Sequence, residues 1–116
     1  MVKLHVEEAA VLPEPAEGRT YKITKVEDVT TAVRGLKGLR VTLKDASTGE
    51  ERATMIWLRD VAGPNSKLGA FIKAFKDYFS ENGVGADYKD TDAWVGYRIR
   101  IDSWIPRARS IKVLGR

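Results

Sequence analysis

The residues best suited to chemistry in this 116-residue chain are aromatic and cationic rather than nucleophilic. Trp104 stands shortly before Arg107 and Arg109, and Trp57 is followed within two residues by Arg59. An indole offers a flat surface on which another ring can stack, and a guanidinium neutralises phosphate, so tryptophan among arginines suits contact with a single nucleic-acid strand. The usual catalytic groups are scarce. His5 is the single histidine, and without cysteine no zinc or Cys–His site can be assembled. No Gly-rich phosphate loop, nucleophile elbow or HExxH stretch occurs. Glu7-Glu8 and Glu50-Glu51 are carboxylates adjacent in sequence, and solvation at a turn exit accounts for the second pair. Asp87, Asp90 and Asp92 lack the glycine and terminal glutamate of a calcium-binding loop. The expectation is a protein that is not an enzyme, with no catalytic residue, metal or cofactor.

Hydropathy patterning defines the elements that must position these residues. Tyr21 and Ile23 alternate with Lys22 and Thr24, and then Val26 and Val29 break period two, as in a bulged or strongly coiled first strand. Residues 30–38 form a basic loop with Arg34 and Lys37. Leu39, Val41 and Leu43 alternate cleanly with Arg40, Thr42 and Lys44. Residues 45–49 are a turn by composition, and Arg52 to Leu58 is the returning strand of a hairpin. Beyond Gly63-Pro64, Asn65 or Ser66 can cap a helix. Its apolar face is Leu68, Phe71, Ile72, Phe75, Tyr78 and Phe79, and Asn82-Gly83 ends it. That face either plugs the domain's own core or docks a partner. A polar loop over 83–93 leads to Tyr97, Ile99 and Ile101, a turn at Pro106, and a last strand marked by Ile111 and Val113.

Three strands, one helix and two strands is the arrangement of an all-β, five-stranded OB-type barrel, in which the helix stops the open end. An α+β sheet with one packed helix is the alternative. Residues 1–18, interrupted by Pro13, Pro15 and Gly18, read as an acidic N-terminal arm, and residues 19–116 as the OB-fold domain. One domain of this size buries roughly two thirds of its unfolded surface without disulfide or metal.

The net charge of +4 is unevenly placed: residues 1–18 carry −3 and residues 95–116 carry +5. An acidic start and a basic end give a directed field. No apolar run approaches the ~20 residues that span a bilayer. The first residues lack a signal peptide's apolar core and cleavage site. The expected setting is intracellular and cytoplasmic, away from membranes, and nucleoid-associated if the ligand is DNA. Glutamine and cysteine are absent and 31% of residues are charged, a trend shared with hyperthermophile proteins.

An OB barrel binds strands on the face of its second and third strands and on the loops joining strands one to two and four to five. Arg34 and Lys37 fall in the first of these loops, and Arg40 and Lys44 point outward from strand two. Strand three has two registers. With Thr54, Ile56 and Leu58 inward, Met55, Trp57 and Arg59 lie outward; the opposite register buries Trp57. In strand four, parity places Arg98, Arg100, Asp102 and Trp104 outward. Trp104 then either stands at the mouth of the last loop beside Arg107 and Arg109 or folds back over the rim. Trp94 reads as packed against the helix.

Two stretches carry a family resemblance: Thr54-Met55-Ile56-Trp57-Leu58-Arg59-Asp60-Val61-Ala62-Gly63 and Ile99-Arg100-Ile101-Asp102-Ser103-Trp104. They resemble the third and fourth strands of replication-protein-A-like single-stranded DNA-binding OB domains, the crenarchaeal single-strand binding proteins among them. The resemblance covers about a third of the chain. It implies that Trp57 and Trp104 stack on bases. Arg107 and Arg109 stand where that family's third stacking aromatic is expected, the segment between strands three and four is longer, and no acidic tail follows the barrel. Two functions therefore stand side by side. One is low-specificity binding of single-stranded DNA or RNA by Trp57 and Trp104, with Arg34, Lys37, Arg40, Lys44, Arg59, Arg98, Arg100, Arg107 and Arg109 on phosphates. The other is an adaptor in a larger nucleoprotein assembly that contacts a protein partner through its acidic arm or its helix.

Overall fold

The computed structural model describes residues 12–30, 37–58 and 66–116. Five strands form one antiparallel sheet: β1 (Thr20–Thr30), β2 (Lys37–Asp45), β3 (Glu51–Trp57), β4 (Arg98–Ser103) and β5 (Ser110–Gly115). The helix α1 (Lys67–Glu81) lies between β3 and β4 in sequence. Across the sheet the order is β3-β2-β1-β4-β5. This is the OB-type order: a three-strand meander whose first strand also pairs with a terminal hairpin. Among the described residues β3 and β5 share no ladder. Instead α1 packs against both of these outer strands.

One strand serves both halves because it is bulged. β1 pairs with β2 along nearly its whole length, and the register slips between Ile23 and Lys25. Its first three residues pair with Arg98–Arg100 of β4. An extra residue bends a strand and increases its twist, which lets β1 leave one partner and meet the other. The break in alternation near Val26 has this origin.

Leu39, Val41 and Leu43 from β2, Ile56 from β3, and Ile99 and Ile101 from β4 fill the core beneath Tyr21 and Ile23. The aromatic face of α1 turns inward upon them, with Phe71, Phe75 and Phe79 buried. Trp94 enters from a short 3-10 turn, Thr91–Trp94, inside the segment expected to be irregular. It is sandwiched between Phe71 (5.3 Å between centroids, 12° between planes) and Phe75 (5.2 Å, 4°). Its indole N–H donates to the Tyr88 carbonyl at 2.9 Å, so no buried donor is left unmet there. The helix therefore uses its aromatic face as core. Ser66 caps it by accepting from the Gly69 N–H, and Asn82 ends it by donating twice to the Tyr78 carbonyl.

Two expectations need adjustment. Lys37 and Gly38, read as loop, begin β2. Leu58, grouped with the inward residues of β3, is 43% exposed because the strand ends at Trp57 and pleating no longer dictates its direction. Arg34, Arg59 and the candidate cap Asn65 lie outside the described residues, as do residues 1–11 of the arm. Among the described residues no helix is long and apolar enough to cross a membrane.

Candidate functional site

Trp57 is the most prominent exposed ring. β3 buries Thr54 and Ile56, each 1% exposed, which turns Trp57 outward at 41% exposure. Its cross-strand partner is Gly38. A Cβ built on Gly38 would fall 2.8 Å from the indole Cε3 and 2.9 Å from the Ile56 carbonyl oxygen. Glycine at this position lets the ring lie down against the β2 backbone. Lys37 is exposed beside it, and its carbonyl accepts from the Leu58 N–H at 3.0 Å.

The outer face of β2 carries Arg40 and Lys44 as expected, and its charge is mixed. Arg40 stands opposite Glu27 of β1, and Lys44 opposite Glu51 of β3. Lys25 pairs with Glu27 at 3.3 Å. Arg40, Thr42, Lys25, Glu27, Glu51 and Met55 line a shallow groove of about 380 Å³, flanked by Leu12 and Glu14. Opposite charges across strands offset one another, so this face presents less net positive charge than the alternation alone implies.

Trp104 takes a different position. It is half-buried just beyond β4, edge-on to Phe71 at 6.4 Å. The Arg109 guanidinium lies 5.2 Å from its ring centroid and the Lys67 ammonium 6.0 Å. The Arg109 Nε is buried with no hydrogen-bond partner among the described residues. Arg107 is exposed in the β4–β5 turn and holds φ of 69°, a left-handed conformation unusual for a side chain of this size. Arg98 is exposed, whereas Arg100 is tied to Asp102 at 2.6 Å, which favours its charged form further. Arg107, Arg109 and Lys73 border a groove of about 420 Å³ between the β4–β5 turn and α1.

The segment 12–18 crosses the seam between β3 and β4. The Ala53 N–H donates to the Pro13 carbonyl at 3.0 Å, on the edge of β3 that β2 does not use. Arg52 donates to the Glu14 carbonyl at 3.0 Å, and Pro15 is buried. The Glu14 carboxylate then gathers three donors on one oxygen: the Thr54 hydroxyl at 2.8 Å, the Lys67 ammonium at 2.9 Å and the Trp104 indole N–H at 3.2 Å. The Glu17 carboxylate accepts from the Trp104 backbone N–H at 2.9 Å. Gly18 donates to the Ile101 carbonyl, and the chain passes into β1.

Arg19 fixes the far end of this strap. Its Nε donates to Asp45 Oδ2, while Oδ1 accepts from the Ser47 and Thr48 N–H groups of the turn. The guanidinium first, and those turn amides with it, hold the Asp45 carboxyl well below the usual carboxylate range.

The residues expected to bind thus fall into three groups. Trp57, Lys37, Arg40 and Lys44 share the β2–β3 region, and Trp104, Arg107 and Arg109 share the β4–β5 end. Arg34 and Arg59 lie outside the described residues. Lys67, Thr54 and Glu14 are site residues that the sequence does not single out. Lys67 opens a helix and reads as an ordinary surface cation, and Glu14 meets its partners 40 and 90 residues away. No protein-family model matches the chain, and no curated protein matches it.

Proposed function

We propose that this chain binds single-stranded nucleic acid with little sequence preference, single-stranded DNA in particular, and does so without catalysing a reaction on it. The observation that carries the reading is Trp57: a large ring, 41% exposed, seated on glycine at the end of β3 with Lys37 beside it. Exposing so much indole forgoes burial that would otherwise stabilise the fold, and base stacking gives it a use worth about 1–3 kcal/mol per base. The OB-type strand order puts this ring on the face through which such folds hold single strands. Arg98, Arg107 and Arg109 supply phosphate contacts at the neighbouring end. The resemblance of residues 54–63 and 99–104 to replication-protein-A-like domains points the same way.

Titration of intrinsic fluorescence with unlabelled oligo-dT of roughly 20 nucleotides tests this. Trp94, enclosed by Phe71 and Phe75, contributes a constant background. The expected result is quenching at low salt that high salt reverses, because counterion release drives phosphate contact. Trp57→Ala should weaken binding by about 1–3 kcal/mol and leave the unfolding midpoint nearly unchanged. Unaltered affinity in Trp57→Ala would overturn the stacking mechanism.

The adaptor reading rests on a different observation. Leu58 and Ile105 are exposed at 43% and 57%, large apolar side chains at the ends of β3 and β4. A protein partner would cover them. Sedimentation of the chain alone and with candidate partners distinguishes the two, since an oligomer that also abolishes oligo-dT quenching favours the adaptor.

A further inference from the structure

Glu14 satisfies groups that an oligonucleotide phosphate would satisfy equally well. The Thr54 hydroxyl, Lys67 ammonium and Trp104 indole N–H belong to β3, α1 and the segment after β4, and they converge on one carboxylate oxygen within 3.2 Å. A carboxylate and a phosphate make the same demand on such donors: short, charge-assisted hydrogen bonds to an anionic oxygen. We infer that Thr54, Lys67 and Trp104 form a phosphate-binding subsite that Glu14 fills in the free protein and yields to the nucleic-acid strand.

Four features support an exchangeable occupant. The Glu14 side chain is 48% exposed although its three donors converge on it, so an anion from solvent can reach the place where it sits. Thr54 is 1% exposed, and its hydroxyl needs an acceptor whenever Glu14 leaves; a phosphate oxygen provides one. The site lies at the start of α1, where the helix favours a negative charge. Finally, the strap joins the barrel through Gly18, which has φ of +77° and no atom within 4 Å of where a Cβ would stand, so the chain can swing there without collision. Departure of the same segment withdraws Glu17 from the Trp104 backbone N–H, adding a second donor beside the ring. Trp57 lies three residues along β3 from Thr54, about 10 Å, within reach of the same short strand.

This inference deepens the proposed function and depends on it, so the test separates the two. Labelled oligo-dT of about 20 nucleotides is titrated, by fluorescence anisotropy over a series of salt concentrations, against wild type, Glu14→Gln, Glu14→Ala, Lys67→Ala and the double variant Glu14→Ala/Lys67→Ala. Glu14→Gln retains an acceptor for Thr54 while losing the charge, so it remains informative if alanine loosens the strap. Removing an occupant that holds the subsite most of the time raises apparent affinity by the reciprocal of the unoccupied fraction, expected here as a gain of about tenfold. The salt dependence should steepen by about 0.7 in logarithmic slope, one added phosphate contact on a single strand. Lys67→Ala should cancel both changes in the double variant. Wild-type binding that Trp57→Ala weakens, together with wild-type affinity and slope in folded Glu14 variants, would overturn the subsite and leave the proposed function standing. No binding by any variant would overturn both.

Discussion

Trp57 and Gly38 face each other across β2 and β3 so closely that a single added methyl at position 38 would meet both the indole and a backbone carbonyl. The exposed ring and the glycine are one structural unit. Gly38→Ala therefore tests the platform without touching the ring. Overpacking against a backbone atom costs about 1–3 kcal/mol, and the expected outcome is a loss of that size in urea unfolding with a changed Trp57 emission. Unchanged emission with unchanged stability would mean that the ring does not rest on this backbone.

Acid should unfold the protein partly through Asp45. Its folded-state carboxyl titrates well below the unfolded value because Arg19 and the turn amides hold the charged form. A depressed value contributes stability that is fully present above the unfolded pKa, about 3.9. That stability is lost as pH falls below it toward the folded value. In Asp45→Asn the urea midpoint should be lower at neutral pH, and it should fall less steeply than in wild type once the pH drops below about 4. Parallel acid limbs in the two proteins would exclude Asp45 as a source of the pH dependence.

Trp94 should matter to stability far more than Trp57. It is 1% exposed and stacked on two phenylalanines. Trp94→Ala is expected to cost about 3–5 kcal/mol, a large share of the roughly 5–15 kcal/mol typical of a domain. Chemical denaturation compared with Trp57→Ala gives the contrast directly.

Arg107 holds a conformation that glycine adopts without penalty. A left-handed backbone costs other residues about 1–2 kcal/mol, and glycine gives back about 0.5–1 kcal/mol of that through unfolded-state entropy. Arg107→Gly should thus unfold at the same or a slightly higher urea concentration, while weakening oligo-dT binding at low salt. A clear loss of stability would show that the arginine side chain holds the β4–β5 turn in place.

Local periodicity carried the fold well where a strand or helix has one wet face. Leu39, Val41 and Leu43 announced β2, the spacing from Leu68 to Phe79 announced α1, and the irregularity near Val26 announced the bulge. Strand three was ambiguous for a physical reason: Ala53 and Thr54 are both buried, Thr54 by the core side and Ala53 beneath the strap that pairs with its N–H. A strand covered on both faces loses the alternation that sets register. The place of Glu14 was not legible at all. Its partners come from three distant elements, and nothing in a Pro-Glu-Pro stretch indicates which donors will converge on it.

The strap also determines how the molecule responds to tension. A pull on the chain ahead of residue 12 meets the Pro13–Ala53 bond first, then Glu14 with its donors, then Glu17, and only afterwards the Arg19–Asp45 pair and the paired length of β1. These attachments lie in series along the segment, so they yield in succession at low force, as a zip fastener does. The bonds of β1 to β2 share a load together. A traction applied upstream would thus strip the cover from Trp104 while the barrel beneath it stays intact.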